Sequence, residues 1–108
     1  MDDMRVTESS GNVFADLGLP DAAELLVKSD LAIEIGRVLD DRGLSQAQAA
    51  RVLHTSQPRI SDVRRGKLEG FTIDRLLRFL TSLDQDVELA IHPKRGSVAR
   101  LVVAGTAA

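Results

Sequence analysis

The sequence predicts a mainly α-helical domain that closes with a β-strand or hairpin, and three observations carry that reading. Apolar residues recur at helical spacing through residues 21–84. From Asp86 the period shortens to two. Ser, Thr and Gly stand where helices of that pattern begin and end. The length, 108 residues, suits one domain.

Residues 1–10 are acidic and polar and read as a tail. Val13, Phe14, Leu17 and Leu19, broken by Gly11, Gly18 and Pro20, read as a short turn or strand packed against the body. Pro20-Asp21 opens the first helix, with Ala22, Leu25, Ala32, Ile35, Val38 and Leu39 on one side and Asp21, Glu24, Lys28, Glu34, Arg37 and Asp41 on the other. Gly43 ends it in a left-handed position. Ser45 caps a short helix reaching about Leu53, and His54-Thr55 interrupts it. Ser56 caps the next, with Pro58 in the first turn where a missing N–H costs nothing, and that helix runs to Arg65 and stops at Gly66. Thr72 caps a further helix whose stripe is Ile73, Leu76, Leu77, Leu80 and Leu83, widened by Phe79.

Four or five helices thus occupy residues 21–84. Beyond them Val87, Leu89 and Ile91 alternate with Asp86, Glu88, Ala90 and His92, as in a strand with one buried face, and Pro93 ends it. After the turn residues Lys94 to Ser97, residues 98–103 suit a second strand. A lone strand or hairpin is marginal in water and leaves unpaired edges, so antiparallel pairing with the same segment of a second protomer is expected. The chain divides into an N-terminal tail and packed segment (1–20), a helical domain (21–84) and a C-terminal strand or hairpin with a frayed end (85–108).

Composition removes whole classes of function. Apolar residues make up 44% and charged residues 28%, as in an ordinary globular protein. There is no cysteine, which excludes disulfide scaffolds, thiolate metal sites and cysteine nucleophiles. Only His54 and His92 remain as imidazoles, and no metal or cofactor is expected. No apolar run approaches the roughly 18–20 residues of a spanning helix, and the acidic start lacks a signal-peptide core, so a cytoplasmic protein without a membrane partner is expected. No serine sits in a nucleophile elbow and no glycine-rich loop carries a lysine-serine phosphate signature, so the chain does not read as an enzyme.

The net charge of −2 conceals a division. Residues 1–41 hold ten acidic against three basic residues, residues 42–78 hold eight basic against three acidic, and residues 79–108 balance at three each. A basic middle beside an acidic start is a local electrostatic footprint for nucleic acid, although chance clustering on solvated helix faces gives the same count.

The informative stretch is Leu44 to Lys67. Two short helices lie three residues apart, with Gln46-Ala47, Ala50, Val52-Leu53, Ile60, Val63 and Gly66 spaced as a helix-turn-helix requires. A small residue at Ala50 lets two backbones approach, while Leu53, Ile60 and Val63 fill the wedge between them. Gln57, Arg59, Ser61, Asp62, Arg64 and Arg65 are then free to face outward, and Gln and Arg make paired hydrogen bonds in a major groove.

This run resembles the helix-turn-helix of phage-repressor and Cro-like (XRE-type) regulators, and the resemblance extends over residues 30–84. It implies a five-helix phage-repressor-like domain. One departure is His54, where the family has glycine; a histidine there carries some strain at positive φ. By the resemblance Gln46 contacts a phosphate, Gln57, Arg59 and Asp62 face base edges with Ser61 beside them, and Ser56 belongs to the same DNA-binding set. Arg64, Arg65 and Lys67 lie where phosphates pass the end of the recognition helix. Pro58 takes a position often used for base contact and implies steric or apolar readout. For Asp62, an ion pair with Arg59 or Arg65 is the preferred reading over base contact.

A narrower resemblance spans residues 9–95. Ser10 to Leu19, Gly66 to Phe71, Leu76 to Leu80 and Gln85 to Leu89 are together similar to small antitoxins encoded with RelE/HigB-like ribonuclease toxins. It implies a homodimeric repressor that binds a pseudo-palindromic operator in double-stranded DNA, autoregulates its operon and neutralises a small basic toxin. The acidic first third suits such a partner, although a merely solvated helix is equally acidic. Two alternatives stay open: a stand-alone XRE-type regulator, and a protein-interaction module that reuses the fold.

Overall fold

The computed structural model describes residues 21–94 and 102–104. Four helices make up its regular structure: α1 (Asp21–Asp41), α2 (Gln46–Val52), α3 (Gln57–Arg65) and α4 (Ile73–Ser82).

The starts of α2, α3 and α4 are fixed by side chains three residues upstream of the N–H they satisfy. Ser45 Oγ accepts the Gln48 N–H at 3.1 Å and the Gln48 side chain accepts the Ser45 N–H at 2.8 Å, a complete capping box. Ser56 Oγ accepts from Arg59 N at 3.3 Å, and Thr72 Oγ1 accepts from Arg75 N at 3.1 Å.

All four helices end in the same way. Gly43, His54, Gly66 and Asp84 adopt φ of 64°, 55°, 77° and 63°. The following N–H groups, of Leu44, Thr55, Lys67 and Gln85, then turn back to the carbonyls of Leu39, Ala50, Asp62 and Leu80 at 2.8–3.1 Å. This closes carbonyls that a helix end otherwise leaves unpaired.

The core lies where α1 crosses α4 and α3, with α2 packed on α3. Phe71, Ile35, Leu39, Ile60, Leu76 and Leu83 are its largest fully buried side chains, each worth about 1.5–3 kcal/mol of transfer free energy. The apolar face of α1 is Val27, Leu31, Ala32, Ile35, Val38 and Leu39. Leu25, assigned to that face from sequence, is instead exposed with Leu26 and Ile33. The core face of α1 passes through Val27 and Leu31, and Leu25 falls off that line.

Two expectations are corrected. The described residues hold four helices, not five: residues 21–41 contain no proline and continue as a single 21-residue helix, and the link from α3 to α4 turns at Gly66 and Gly70 without room for another. Residues 86–94 form no strand: a ladder needs a second edge, and none lies beside this segment among the described residues. Val87, Leu89 and Ile91 are all exposed, whereas Val103 packs partly against the core. The expected segment at 1–20, residues 95–97 of the expected turn, residues 98–101 of the expected second strand and the end of the chain at 105–108 lie outside the described residues. No helix among the described residues is long and apolar enough to cross a membrane.

Candidate nucleic-acid interface

Helix α3 sits on the body through Ile60 and Val63, both buried, and its start and end are clamped by Ser56 and Gly66. At about 100° per residue, the face opposite those two carries Pro58, Ser61, Asp62 and Arg65, with Gln57 beside them. Gln57, Pro58 and Arg65 are exposed, while Ser61 and Asp62 are half-buried. Gln46 is exposed at the start of α2, and Lys67 is exposed just past Gly66. Of the predicted residues, Ser61, Asp62 and Arg65 thus lie on the face of α3 turned away from Ile60 and Val63, with Gln57 at its edge.

Their partners divide them. Asp62 Oδ1 accepts from Arg65 Nη2 at 3.4 Å, within the helix. Arg64 leaves α3 on the side of α1, where Nη2 meets Asp40 Oδ1 at 2.6 Å and Nη1 reaches the Gly36 carbonyl at 3.5 Å. Arg59 leaves on the other flank, with its guanidinium carbon 4.2 Å from the centre of the Phe71 ring and Nη2 3.5 Å from the Gly70 carbonyl. Ser56 is held as the N-cap of α3. Gln57 and Lys67 make no such contact among the described residues, so their polar groups face water.

The turn between the motif helices depends on small side chains. Ala49 and Ala50 are both buried on α2, which packs on α3, and Ala49 is the deeper at 0% exposure. Sequence reasoning placed the close approach at Ala50 and did not single out Ala49. It also missed Asp40, Gly70 and Phe71 as neighbours of the site. The one signal for Asp40 was the acidic end of α1; nothing local pointed from Arg59 to Phe71.

The surface thus offers amide and guanidinium donors along a short exposed helix, with a lysine beyond its end. These groups suit the acceptors of a duplex groove and its phosphates. The described residues contain no group of three or more His, Asp or Glu placed to hold a metal ion.

Residues 13–92 match the model of a family described as a helix-turn-helix domain. A solved structure described as an XRE family transcriptional regulator superposes with a TM-score of 0.75 at 45% sequence identity, covering 81% of this chain and 100% of the other. No curated protein matches.

Proposed function

The chain belongs to the XRE-type helix-turn-helix family of transcriptional regulators, and on that premise we propose that it is a sequence-specific repressor of its own operon, a DNA-binding protein and not an enzyme. The observation that carries the reading is α3, held by Ile60 and Val63 while Gln57, Ser61 and Arg65 are directed away from the body and Arg59 and Arg64 flank them. In this reading two protomers set two α3 helices in successive major grooves about 34 Å apart on a pseudo-palindromic operator. Gln57 and Arg59 read base edges with Ser61 alongside. Asp62 orients Arg65, and Gln46, Ser56, Arg64, Arg65 and Lys67 keep the backbone in register.

Footprinting on the promoter upstream of its own gene, in dilute buffer, tests this directly. Two protected half-sites one helical turn apart are expected, and an unprotected promoter refutes the proposal. Arg59→Ala should cost about 1–3 kcal/mol and relax preference at one base position, whereas Lys67→Ala should weaken all duplexes alike.

An antitoxin role is favoured by a separate observation. Helix α1 exposes Leu25, Leu26 and Ile33 with Asp21 and Asp30 nearby, an apolar and acidic surface suited to a small basic protein, while Glu24 and Glu34 are paired with Lys28 and Arg37. Arg37 on the same helix stays charged, its pKa held above the ordinary value by its hydrogen bond to Glu34 and by the Glu34 charge, and it offsets part of that acidity. Co-expression with a small basic RelE/HigB-like protein encoded beside the gene should give a co-purifying complex. A chain that purifies alone in that experiment is a stand-alone regulator.

A further inference from the structure

Arginines at this surface, on α1 and just past its end meet carboxylates: Arg37 meets Glu34 and Asp41, Arg42 meets Asp84, Arg64 meets Asp40 and Arg65 meets Asp62. Arg59 is held by a ring and a carbonyl. The ring of Phe71, 1% exposed, lies edge-to-face on Phe79 with centroids 6.2 Å apart at 72°. The Arg75 guanidinium lies 5.9 Å and 5.6 Å from these two rings. Gly70, at φ +84°, completes the shelf; a Cβ there would lie 3.6 Å from Arg59 Nη1.

A guanidinium over an aromatic face is attracted by the ring quadrupole and keeps its positive charge. Its five N–H donors point outward in the plane of the group, and a single long bond to the Gly70 carbonyl occupies one of them. The core thereby fixes the direction of a side chain that otherwise samples many rotamers, and ordering it on binding costs less.

We propose that Phe71 is a specificity-determining positioning residue: the buried ring aims the Arg59 guanidinium at one position of the DNA site while touching no DNA itself. The inference rests on the DNA-binding reading above. Without the ring, or with an ammonium in place of the planar group, the positive charge persists and its direction is lost. Affinity for unrelated duplex is therefore retained while preference for the operator falls.

The test uses the full chain and two duplexes, the footprinted promoter segment and a scrambled duplex of equal length and composition. Arg59→Lys and Phe71→Leu should each lower the ratio of promoter to scrambled affinity about tenfold, with scrambled affinity within about twofold of the parent. Phe71→Tyr, which keeps the ring, should restore the ratio. An upfield ring-current shift of the Arg59 side-chain protons should be present in the parent and in Phe71→Tyr and absent in Phe71→Leu. Should Phe71→Leu fail to fold by circular dichroism, Arg59→Lys and the parent's ring-current shift decide the matter. A parent that does not distinguish the two duplexes removes the DNA-binding reading and this inference together. A parent that discriminates while the Lys variant discriminates equally, or loses both affinities in parallel, overturns the role of Phe71 alone.

Discussion

His54 closes the turn between α2 and α3 at φ 55°, a conformation in which a side chain crowds the following carbonyl. The left-handed state costs a non-glycine residue roughly 1–2 kcal/mol, and a glycine loses about 0.5–1 kcal/mol of that advantage through its freer unfolded chain. His54→Gly is therefore expected to raise stability by up to about 1 kcal/mol, read as a higher midpoint in thermal unfolding; a lower midpoint would mean that the imidazole packs usefully. Asp40 poses the opposite question. Its carboxylate sits on Arg64 at 2.6 Å, and on the proposed reading of Arg64 as a phosphate contact it competes with DNA for that guanidinium. An exposed pair of this kind adds at most about 1 kcal/mol to stability. Asp40→Asn should therefore leave the melting midpoint nearly unchanged. It should tighten DNA binding severalfold and steepen the dependence of log affinity on log salt by about one unit per chain. An unaltered salt slope would show that Arg64 belongs to the α1–α3 contact alone.

At the scale of elements, the packing of α2 on α3 depends on volume. Replacing fully buried Ala49 by Leu should cost about 1–3 kcal/mol in denaturant unfolding, whereas Val52→Ala, at a position open to solvent, should cost well under 1 kcal/mol. Equal effects would place the close helix crossing elsewhere. The starts of α2, α3 and α4 were legible in the sequence because a cap is local: Ser45, Ser56 and Thr72 act on N–H groups three residues ahead. Gly43 and Gly66 announced their ends for a similar reason. Asp84 did not, since aspartate occurs in every kind of segment and only the back-bonded Gln85 N–H reveals its left-handed turn. The order of side chains around α3 followed from helical spacing. What they touch did not, because Arg59 on Phe71 and Arg64 on Asp40 join elements that only the tertiary fold brings together. The strand expected at 86–92 failed on the same ground: alternation describes one edge, and a ladder requires two.

At the scale of the whole molecule, the alternation of Val87, Leu89 and Ile91 remains the strongest unsatisfied pattern, with Ile91 92% exposed. An exposed apolar edge of this kind is a template for a second edge, and a two-fold partner presents the identical one. In the proposed dimer the same symmetry doubles the cations offered to DNA. If each protomer neutralises three or four phosphates, log affinity should fall with log salt at a slope of about −5 to −7 for a dimer. Leu89→Lys with Ile91→Lys places charges on the apolar face of the expected ladder without touching the buried core. That variant should sediment as a monomer at high micromolar concentration, keep its helical circular dichroism, and bind DNA with a slope near half the parent value. A parent that is itself monomeric at that concentration removes the strand-paired dimer. A dimeric variant moves the two-fold contact to another surface. A monomeric variant with an undiminished slope would mean that a single protomer makes all the phosphate contacts, and the operator would then need only one half-site.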